Sequence, residues 1–224
     1  MSKIRMLISS NIIKSFYYSA LCFGVNNAIK FPLLIGYKCY IKGLSRKTFE
    51  YEGVPTFGFF RFGVFQGSFL QGKHCCSSLI LENDSLLKIG ENVQFSKKSF
   101  IKVSSNAKLL IEKNFSANSG LVIKCSKEIT IKEDANIGWD VTILDDDGHD
   151  VFVSATKKEK LLPIYIGKHV WLGAKSSILK GTYIDDDCVV GFGCVANKSF
   201  KNCTNSLLVG FPASVKKDKV TWVK

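Results

Sequence analysis

Arginine is scarce in this chain, and this limits the classes of partner that its positive charge can recognise. The 224 residues carry a formal net charge of +12, yet arginine occurs only as Arg5, Arg46 and Arg61. Base readout and insertion into the minor groove of DNA rely on arginine. The lysines are spread along the chain and form no long basic arm, so the composition argues against a nucleic-acid partner.

Cysteine is present but has no CxxC spacing, which argues against a redox motif and against the common zinc sites. There are eight cysteines; Cys75 and Cys76 are adjacent and cannot easily pair with each other. Because the chain is long enough to bury a core without disulfides, we expect reduced, packed thiols in a cytosolic protein.

Histidine is equally sparse, with only His74, His149 and His169, and their spacing is not that of zinc ligands. The Asp145–Asp147 run lacks the spaced ligands and terminal glutamate of an EF-hand loop. We therefore predict that no metal is required. His74 is interpreted as a structural residue and His169 as a solvent-facing corner residue of the repeat.

Long apolar runs are missing too. The longest uncharged stretch runs from Ser15 to Ile29, shorter than the roughly 18–20 apolar residues of a spanning helix. No clear cleavage site of a signal peptide follows it. We expect this segment to pack on the body of the protein or to lie at a membrane surface.

A six-residue repeat dominates the second half of the chain. An aliphatic or small apolar residue recurs every six positions, at Ile166, Leu172, Ile178, Ile184, Val190 and Ala196. A small or β-branched residue stands four positions after each of the first five, at Val170, Ser176, Thr182, Cys188 and Cys194. The same register appears upstream. A period of six matches neither a helix nor an alternating strand.

Short strands joined by regular corners explain this pattern. Each hexad forms one face of a coil, its aliphatic residue points to the axis, and three hexads complete a turn. Coil starts are predicted at Ile89, Ile111, Ile131, Ile166 and Ile184. The widest gap between them predicts a protruding loop over residues 145–163. Evenly spaced strands of a β-sandwich are the alternative.

The first part of the chain shows no such repeat. Residues 1–65 contain nine of the seventeen phenylalanines. We predict a helical and irregular, aromatic and basic capping region over residues 1–70, a β-helix over residues 71–217 and a short tail over residues 218–224. Such a region could cap the open end of a repeat array, or it could contact the inner leaflet of a membrane.

Residues 166–217 resemble the hexapeptide-repeat acyltransferases. The similarity lies in Ile166-Gly-Lys-His-Val-Trp-Leu-Gly-Ala, in the closing segments Val190-Gly-Phe-Gly-Cys-Val-Ala-Asn-Lys and Val209-Gly-Phe-Pro, and in the coil from Trp139 to His149. The resemblance implies a left-handed β-helix, a homotrimer with sites between adjacent subunits, and acetyl-CoA as the donor. Members that acetylate sugars of capsule or lipopolysaccharide are the most similar.

This resemblance also implies the catalytic group. His149 ends a coil just before the loop, where the family has its general base, and a neutral imidazole suits proton removal from an acceptor hydroxyl. Asp147 and Asp140 are the candidates for the carboxylate that orients it.

The donor site is expected at the coil edge around Gly173 and Ala174, where a backbone amide would stabilise the thioester oxyanion. Gly173 would let the pantetheine arm approach the backbone closely, or it is simply the glycine of a coil corner. Trp171 would flank the arm or the acceptor sugar, or lie at a subunit interface. Gly191 is also expected to contact the donor. The lysine candidates for the CoA phosphates are Lys198 and Lys217.

Three functions remain open at this stage. The first is O-acetylation of a sugar hydroxyl on a surface glycan or its precursor. The second is N-acetylation of an amino-sugar nucleotide, which would use the same fold and histidine. The third is a non-catalytic β-helix that binds a partner or a membrane.

Overall fold

The computed structural model describes residues 2–65 and 76–223, and these ranges contain three helices and 25 strands. The helices are α1 (Lys3–Ile8), α2 (Ile12–Phe23) and α3 (Val25–Ala28). Nearly all the strands belong to three sheets, which are named here faces A, B and C. His74 lies outside the described residues.

The chain visits the three faces in turn, coil after coil, and neighbouring coils pair in parallel. Face A consists of β1 (Leu33–Ile35), β4 (Phe60–Phe62), β7 (Val93–Phe95), β10 (Ser116–Ala117), β13 (Asn136–Ile137), β18 (Trp171–Leu172), β21 (Val189–Val190), β24 (Leu207–Gly210) and the antiparallel β25 (Ala213–Lys217). Face B consists of β2 (Cys39–Lys42), β5 (Ser77–Leu81), β8 (Phe100–Val103), β11 (Val122–Cys125), β14 (Thr142–Leu144), β19 (Ser177–Leu179) and β22 (Val195–Ala196). Face C consists of β3 (Phe49–Tyr51), β6 (Leu86–Ile89), β9 (Lys108–Ile111), β12 (Glu128–Ile131), β17 (Ile164–Ile166), β20 (Tyr183–Ile184) and β23 (Ser199–Phe200).

A continuous apolar column runs through the prism that these faces enclose. On face C the paired, fully buried residues are Ile89, Ile111, Ile131, Ile166 and Ile184. These are the predicted coil starts, so the stacking register is confirmed. Because each coil buries its apolar residues only against its neighbours, the array is stable only as a stack.

The corners between faces are made by residues with left-handed backbone conformations. Asp140 and Lys175 have φ of 54° and 58° on the edge between faces A and B, and His169 has φ of 50° on the edge between faces C and A. Small buried residues follow these corners, as at Ser176. The six-residue period therefore combines one inward aliphatic residue with one sharp corner.

The coils begin earlier than the predicted boundary at residue 71. Strands β1, β2 and β3 already pair in parallel with β4, β5 and β6. The paired residues Ile35 and Phe62 are 27 positions apart, whereas Leu172 and Val190 are 18 apart. Irregular coil lengths and phenylalanines in place of aliphatic residues hide the hexad here.

Helix α2 lies against the free edge of face A, where β1 is the outermost strand. Ser19 Oγ accepts from Leu33 N at 3.1 Å and lies 3.3 Å from Leu33 O, and Ser15 Oγ accepts from Ile35 N at 2.9 Å. These two serines, both fully buried, satisfy backbone groups that an edge strand would otherwise leave unpaired.

The long loop lies where it was predicted, between β14 and β17. It contains a small antiparallel hairpin of β15 (Phe152–Val153) and β16 (Thr156–Lys157), whose residues are exposed. The loop leaves from the edge between faces B and C. None of the helices in the described residues is long and apolar enough to cross a bilayer.

Candidate active site

The base of the loop is fixed to the coil before it by a buried aspartate. Asp145 is fully buried. Its carboxylate accepts from the backbone N–H groups of Ser126 and Lys127 at 2.6 and 2.8 Å. A buried carboxylate that is satisfied in this way holds the loop start in one position.

Asp146 continues this network toward the histidine. Its carboxylate lies 2.8 Å from Lys124 Nζ and accepts from Ser126 Oγ at 2.9 Å and from the Gly148 N–H at 2.6 Å. Burial would raise the pKa of Asp146, but Lys124, Gly148 and Ser126 outweigh it and lower the pKa to about 2. Asp146 is therefore ionised at neutral pH and fixes the backbone immediately before His149.

His149 itself is exposed on the loop, four residues after Asp145, where this clamped segment starts. Its ring makes no hydrogen bond or ion pair with any residue that the structure describes, and so both ring nitrogens are accessible. Gly148, with φ of 80°, provides the left-handed turn that leads into it. The position combines a rigid backbone with a free imidazole.

Neither predicted orienting carboxylate contacts His149 in this chain. Asp147 binds Lys180 Nζ, which also binds the carbonyl of Glu159 and so ties the loop to the following coil. Asp140 lies on a different edge, between faces A and B, where its backbone N–H donates to Ser119. The sequence spacing could not show that Asp147 would form an ion pair with Lys180 instead of contacting His149.

A second histidine has the carboxylate partner that His149 lacks. His169 Nδ1 lies 2.9 Å from Asp187 Oδ1, and the ring stacks on Trp222 with centroids 4.1 Å apart. Trp222 also donates its Nε1–H to the His169 carbonyl at 2.9 Å, and its ring lies 6.0 Å from Trp171. The sequence reasoning treated His169 as a solvent-facing corner and missed this cluster. The signal was present, because Asp187 follows His169 by 18 residues, which is one full coil.

The coil edge between faces A and B contains the predicted donor site. The amides of Gly173 and Gly191 are already used, since they donate to Val190 and Leu208 of the next coil at 2.7 and 2.8 Å. The N–H of Ala174 donates to no acceptor in the described part of the chain. Of the predicted amides at this edge, Ala174 is the one that remains able to bind an oxyanion.

Gly173 also has a structural reason to be glycine. A Cβ at this position would lie 2.6 Å from the Val190 carbonyl oxygen and 2.9 Å from the Phe192 backbone nitrogen. Glycine at this position therefore permits the backbone of the next coil to approach closely. The sequence prediction had Gly173 permit the approach of the pantetheine arm instead.

The lysines considered for the phosphates of CoA are exposed, and two of them lie over aromatic rings. Lys198 Nζ is 5.6 Å from the centroid of Phe200, and Lys175 Nζ is 5.7 Å from that of Phe192. Lys217 is exposed on β25. Lys175 was not predicted from the sequence; it follows Ala174 directly and is the nearest cation to it along the chain.

The three faces separate these groups within one chain. Trp171 (40% exposed) and Lys217 are on face A, and Gly173, Ala174, Gly191 and Asp140 are on the edge between faces A and B. His149, Asp147 and Lys198 are on the edge between faces B and C, which lies opposite face A in a triangular section. A single chain therefore does not bring the imidazole to Trp171.

Comparison with known proteins identifies the family. A model described as bacterial transferase hexapeptide (six repeats) matches residues 163–198. The galactoside O-acetyltransferase of Escherichia coli strain K12 is 31% identical over 149 residues, which cover 63% of this chain and 71% of that protein. The chain belongs to the hexapeptide-repeat acyltransferases. It is therefore an enzyme of the acyltransferase class.

Solved structures agree on the fold of this acyltransferase. The polySia-specific acetyltransferase NeuO superposes with a TM-score of 0.60 at 23% identity, over 66% of this chain and 68% of that one. The polysialic acid O-acetyltransferase OatWY gives 0.51 at 20% identity, over 86% and 87%. At these identities the likeness shows the fold alone, and it confirms the prediction of a left-handed parallel β-helix of hexapeptide repeats.

Proposed function

We propose that this acyltransferase moves an acetyl group from acetyl-CoA to a sugar hydroxyl of a surface glycan or its precursor. The observation that carries the proposal is His149, an unpaired imidazole on a loop whose backbone is clamped by Asp145 and Asp146. The relative from Escherichia coli is by name a galactoside O-acetyltransferase, which supports a sugar acceptor.

The residues at the coil edge fit the donor. The free N–H of Ala174 can receive the thioester oxygen as it becomes negative. Exposed Lys198, Lys217 and Lys175 offer point charges for the phosphates of CoA. Trp171 presents a partly exposed ring that can flank the pantetheine arm or the sugar.

The reaction needs no covalent enzyme intermediate. His149 accepts the proton of the acceptor hydroxyl as its oxygen attacks the acetyl carbonyl carbon. The new ester C–O bond forms, the C–S bond of the thioester breaks, and the proton passes to the departing sulfur of CoA. Holding both reactants in line can supply an effective molarity of about 10⁵ M or more.

The proposed site is completed by a neighbouring copy of the chain. His149 and Trp171 lie on opposite sides of the prism, so packing of two copies side by side can bring them together. A homotrimer with closed symmetry satisfies this at all three seams. Cytoplasmic localisation is part of the same proposal.

The two histidines provide a direct test. His149→Ala should lower thiol release from acetyl-CoA by about 10² to 10⁴ fold with a sugar acceptor, the usual contribution of a general base. Acetyl-CoA affinity, measured by calorimetry, should be retained. His169→Ala is the matched control, and it should change turnover by less than about tenfold, because it removes only the contact with Asp187 and the stacking on Trp222.

The reciprocal result would overturn the assignment. If His169→Ala abolished turnover while His149→Ala left it near the wild-type value, the pair of His169 and Asp187 would be the base. The stability of the product in mild alkali distinguishes O-acetylation from N-acetylation, because an O-acetyl ester is cleaved and an N-acetyl amide is not. No thiol release with any sugar, together with no binding of acetyl-CoA, would contradict the proposed function.

A further inference from the structure

Over residues 12–19, helix α2 buries small polar side chains and exposes large apolar ones, whereas Cys22 and Phe23 at its end are buried. Its buried side includes Ser15 and Ser19, which hydrogen-bond the edge strand β1. Its exposed side carries large apolar residues instead: Ile12, Ile13, Phe16 and Tyr17. A helix that only packed on the body of the protein would bury these residues and expose the serines.

Helix α1 adds to this apolar surface. Ile4 and Ile8, one helical turn apart, are 71% and 67% exposed, and Ile13 of α2 is 83% exposed. The helices are adjacent in the chain, joined through Ser9, Ser10 and Asn11. Exposed apolar residues that cluster in this way mark a surface that contacts a partner or a membrane.

The charge around these helices selects the partner. The first 49 residues contain eight lysines and arginines and no aspartate or glutamate. Lys3, Arg5 and Lys14 belong to α1 and α2 and are exposed. Helices that expose apolar residues and carry cations but no acidic residue of their own have the pattern of helices that lie in the interface of an anionic bilayer.

Two other occupants are less suited to this surface. A second copy facing it across a two-fold axis would bring the same cations together, and like charges across an interface are unfavourable. Insertion across the bilayer does not fit α2 either, because the twelve residues of α2 are fewer than the roughly 20 that a span requires.

We propose that α1 and α2 form a docking surface for an anionic lipid bilayer. Ile4, Ile8, Ile13 and Tyr17 enter the interface, and the basic residues bind lipid headgroups. The serines of α2 keep the helix attached to the edge strand while its apolar side faces the lipid. The surface lies at the amino-terminal end of the coil stack, so the catalytic loop remains free for a glycan acceptor.

Vesicle partitioning of the full chain tests this proposal without any need for acetyl transfer. The chain should co-sediment with vesicles of phosphatidylcholine that contain about one-third phosphatidylglycerol, and not with phosphatidylcholine alone. Ile13→Glu should reduce partitioning by about tenfold or more, and Arg5→Gln by about fivefold, since one cation near the surface contributes about that factor. Raising the salt concentration should weaken binding.

Val223→Glu is the matched control. Val223 is 94% exposed and lies in the tail after the last coil, whereas α1 and α2 are at the amino-terminal end of the stack, so this variant should partition like the wild type. Thermal unfolding and thiol release with a soluble acceptor verify that each variant is folded. Three results would each overturn the proposal: equal losses in Ile13→Glu and Val223→Glu, no binding of the wild type to anionic vesicles, or a smaller oligomer in Ile13→Glu by light scattering. The last result would assign the surface to a second copy.

Discussion

At the scale of single residues, the charge of Asp146 links stability to the position of His149. The pKa of Asp146 is lowered to about 2, so its carboxylate is ionised in the folded protein well below the pH at which an unfolded aspartate takes up a proton. Its contribution to stability is therefore complete above about pH 5 and is lost as the pH falls from about 4 to 2.

Asp146→Asn should cost about 2 kcal/mol in the free energy of unfolding at neutral pH, because the pair with Lys124 is lost. It should also lower kcat several-fold with little change in KM for acetyl-CoA, because the loop backbone before His149 is released. Urea unfolding at several pH values and steady-state thiol release measure both effects.

Asp150→Asn is the control, because Asp150 pairs with Lys157 on the exposed part of the same loop. It should have no measurable effect on unfolding. A stability loss in Asp146→Asn that stayed the same down to pH 2, or a change confined to KM, would contradict the positioning role.

The sequence could show His149 but not the residue that positions it. His149 was predicted mainly from the resemblance of its coil to the acyltransferase family, and the presence of only three histidines narrowed the choice. Asp146 acts through the backbone N–H of Gly148 and through Lys124 of the preceding coil. Contacts between coils depend on which residues stack, and the loop interrupts the regular spacing at this point.

At the scale of elements, α2 depends on hydrogen bonds that replace a missing strand. Ser19 serves both the N–H and the C=O of Leu33 on the outermost strand of face A. Burial of the serine hydroxyl is favourable only because these backbone groups are paired.

Ser19→Ala should therefore destabilise the protein by about 1–3 kcal/mol, because two buried backbone groups lose their partner. The matched control is Ser9→Ala at the end of α1, a partly exposed residue whose side chain makes no hydrogen bond in the described structure. It should stay within about 0.5 kcal/mol of the wild type. Thermal or urea unfolding compares them, and equal stabilities would contradict the role assigned to the serines.

The coils over residues 166–196 were predictable because one six-residue period repeats there without a break, and the same register recurs upstream as far as Ile89. The elements before them were less so. Face A begins at Leu33, but its early inward positions are Phe60 and Phe62 instead of aliphatic residues. Aromatic rings occupy more space inside the prism than aliphatic side chains. The turns between these early coils also vary in length, so the coils share no fixed period in sequence.

At the scale of the whole molecule, the residues assigned to the site lie on different faces of one chain, and for this reason we propose that a second copy completes the site. The six-residue period predicts a triangular coil, but neither its hand nor its assembly follows from periodicity. Both came from the resemblance to a known family, and the hand is supported by the solved structures. The separation of His149 from Trp171 became visible only with the coil path.

Mixed oligomers test the central claim most directly, namely that His149 of one copy acts beside Trp171 of another. Chains carrying His149→Ala or Trp171→Ala, each with a different affinity tag, are co-expressed and the mixed oligomers isolated by both tags. Each variant alone should release little thiol from acetyl-CoA, but every mixed trimer that carries both tags contains one complete site among its three seams, because only one seam pairs the intact His149 with the intact Trp171. The account predicts activity well above the mean of the two variants. Activity no higher than that mean would show that both residues serve the same subunit or that they do not share a site.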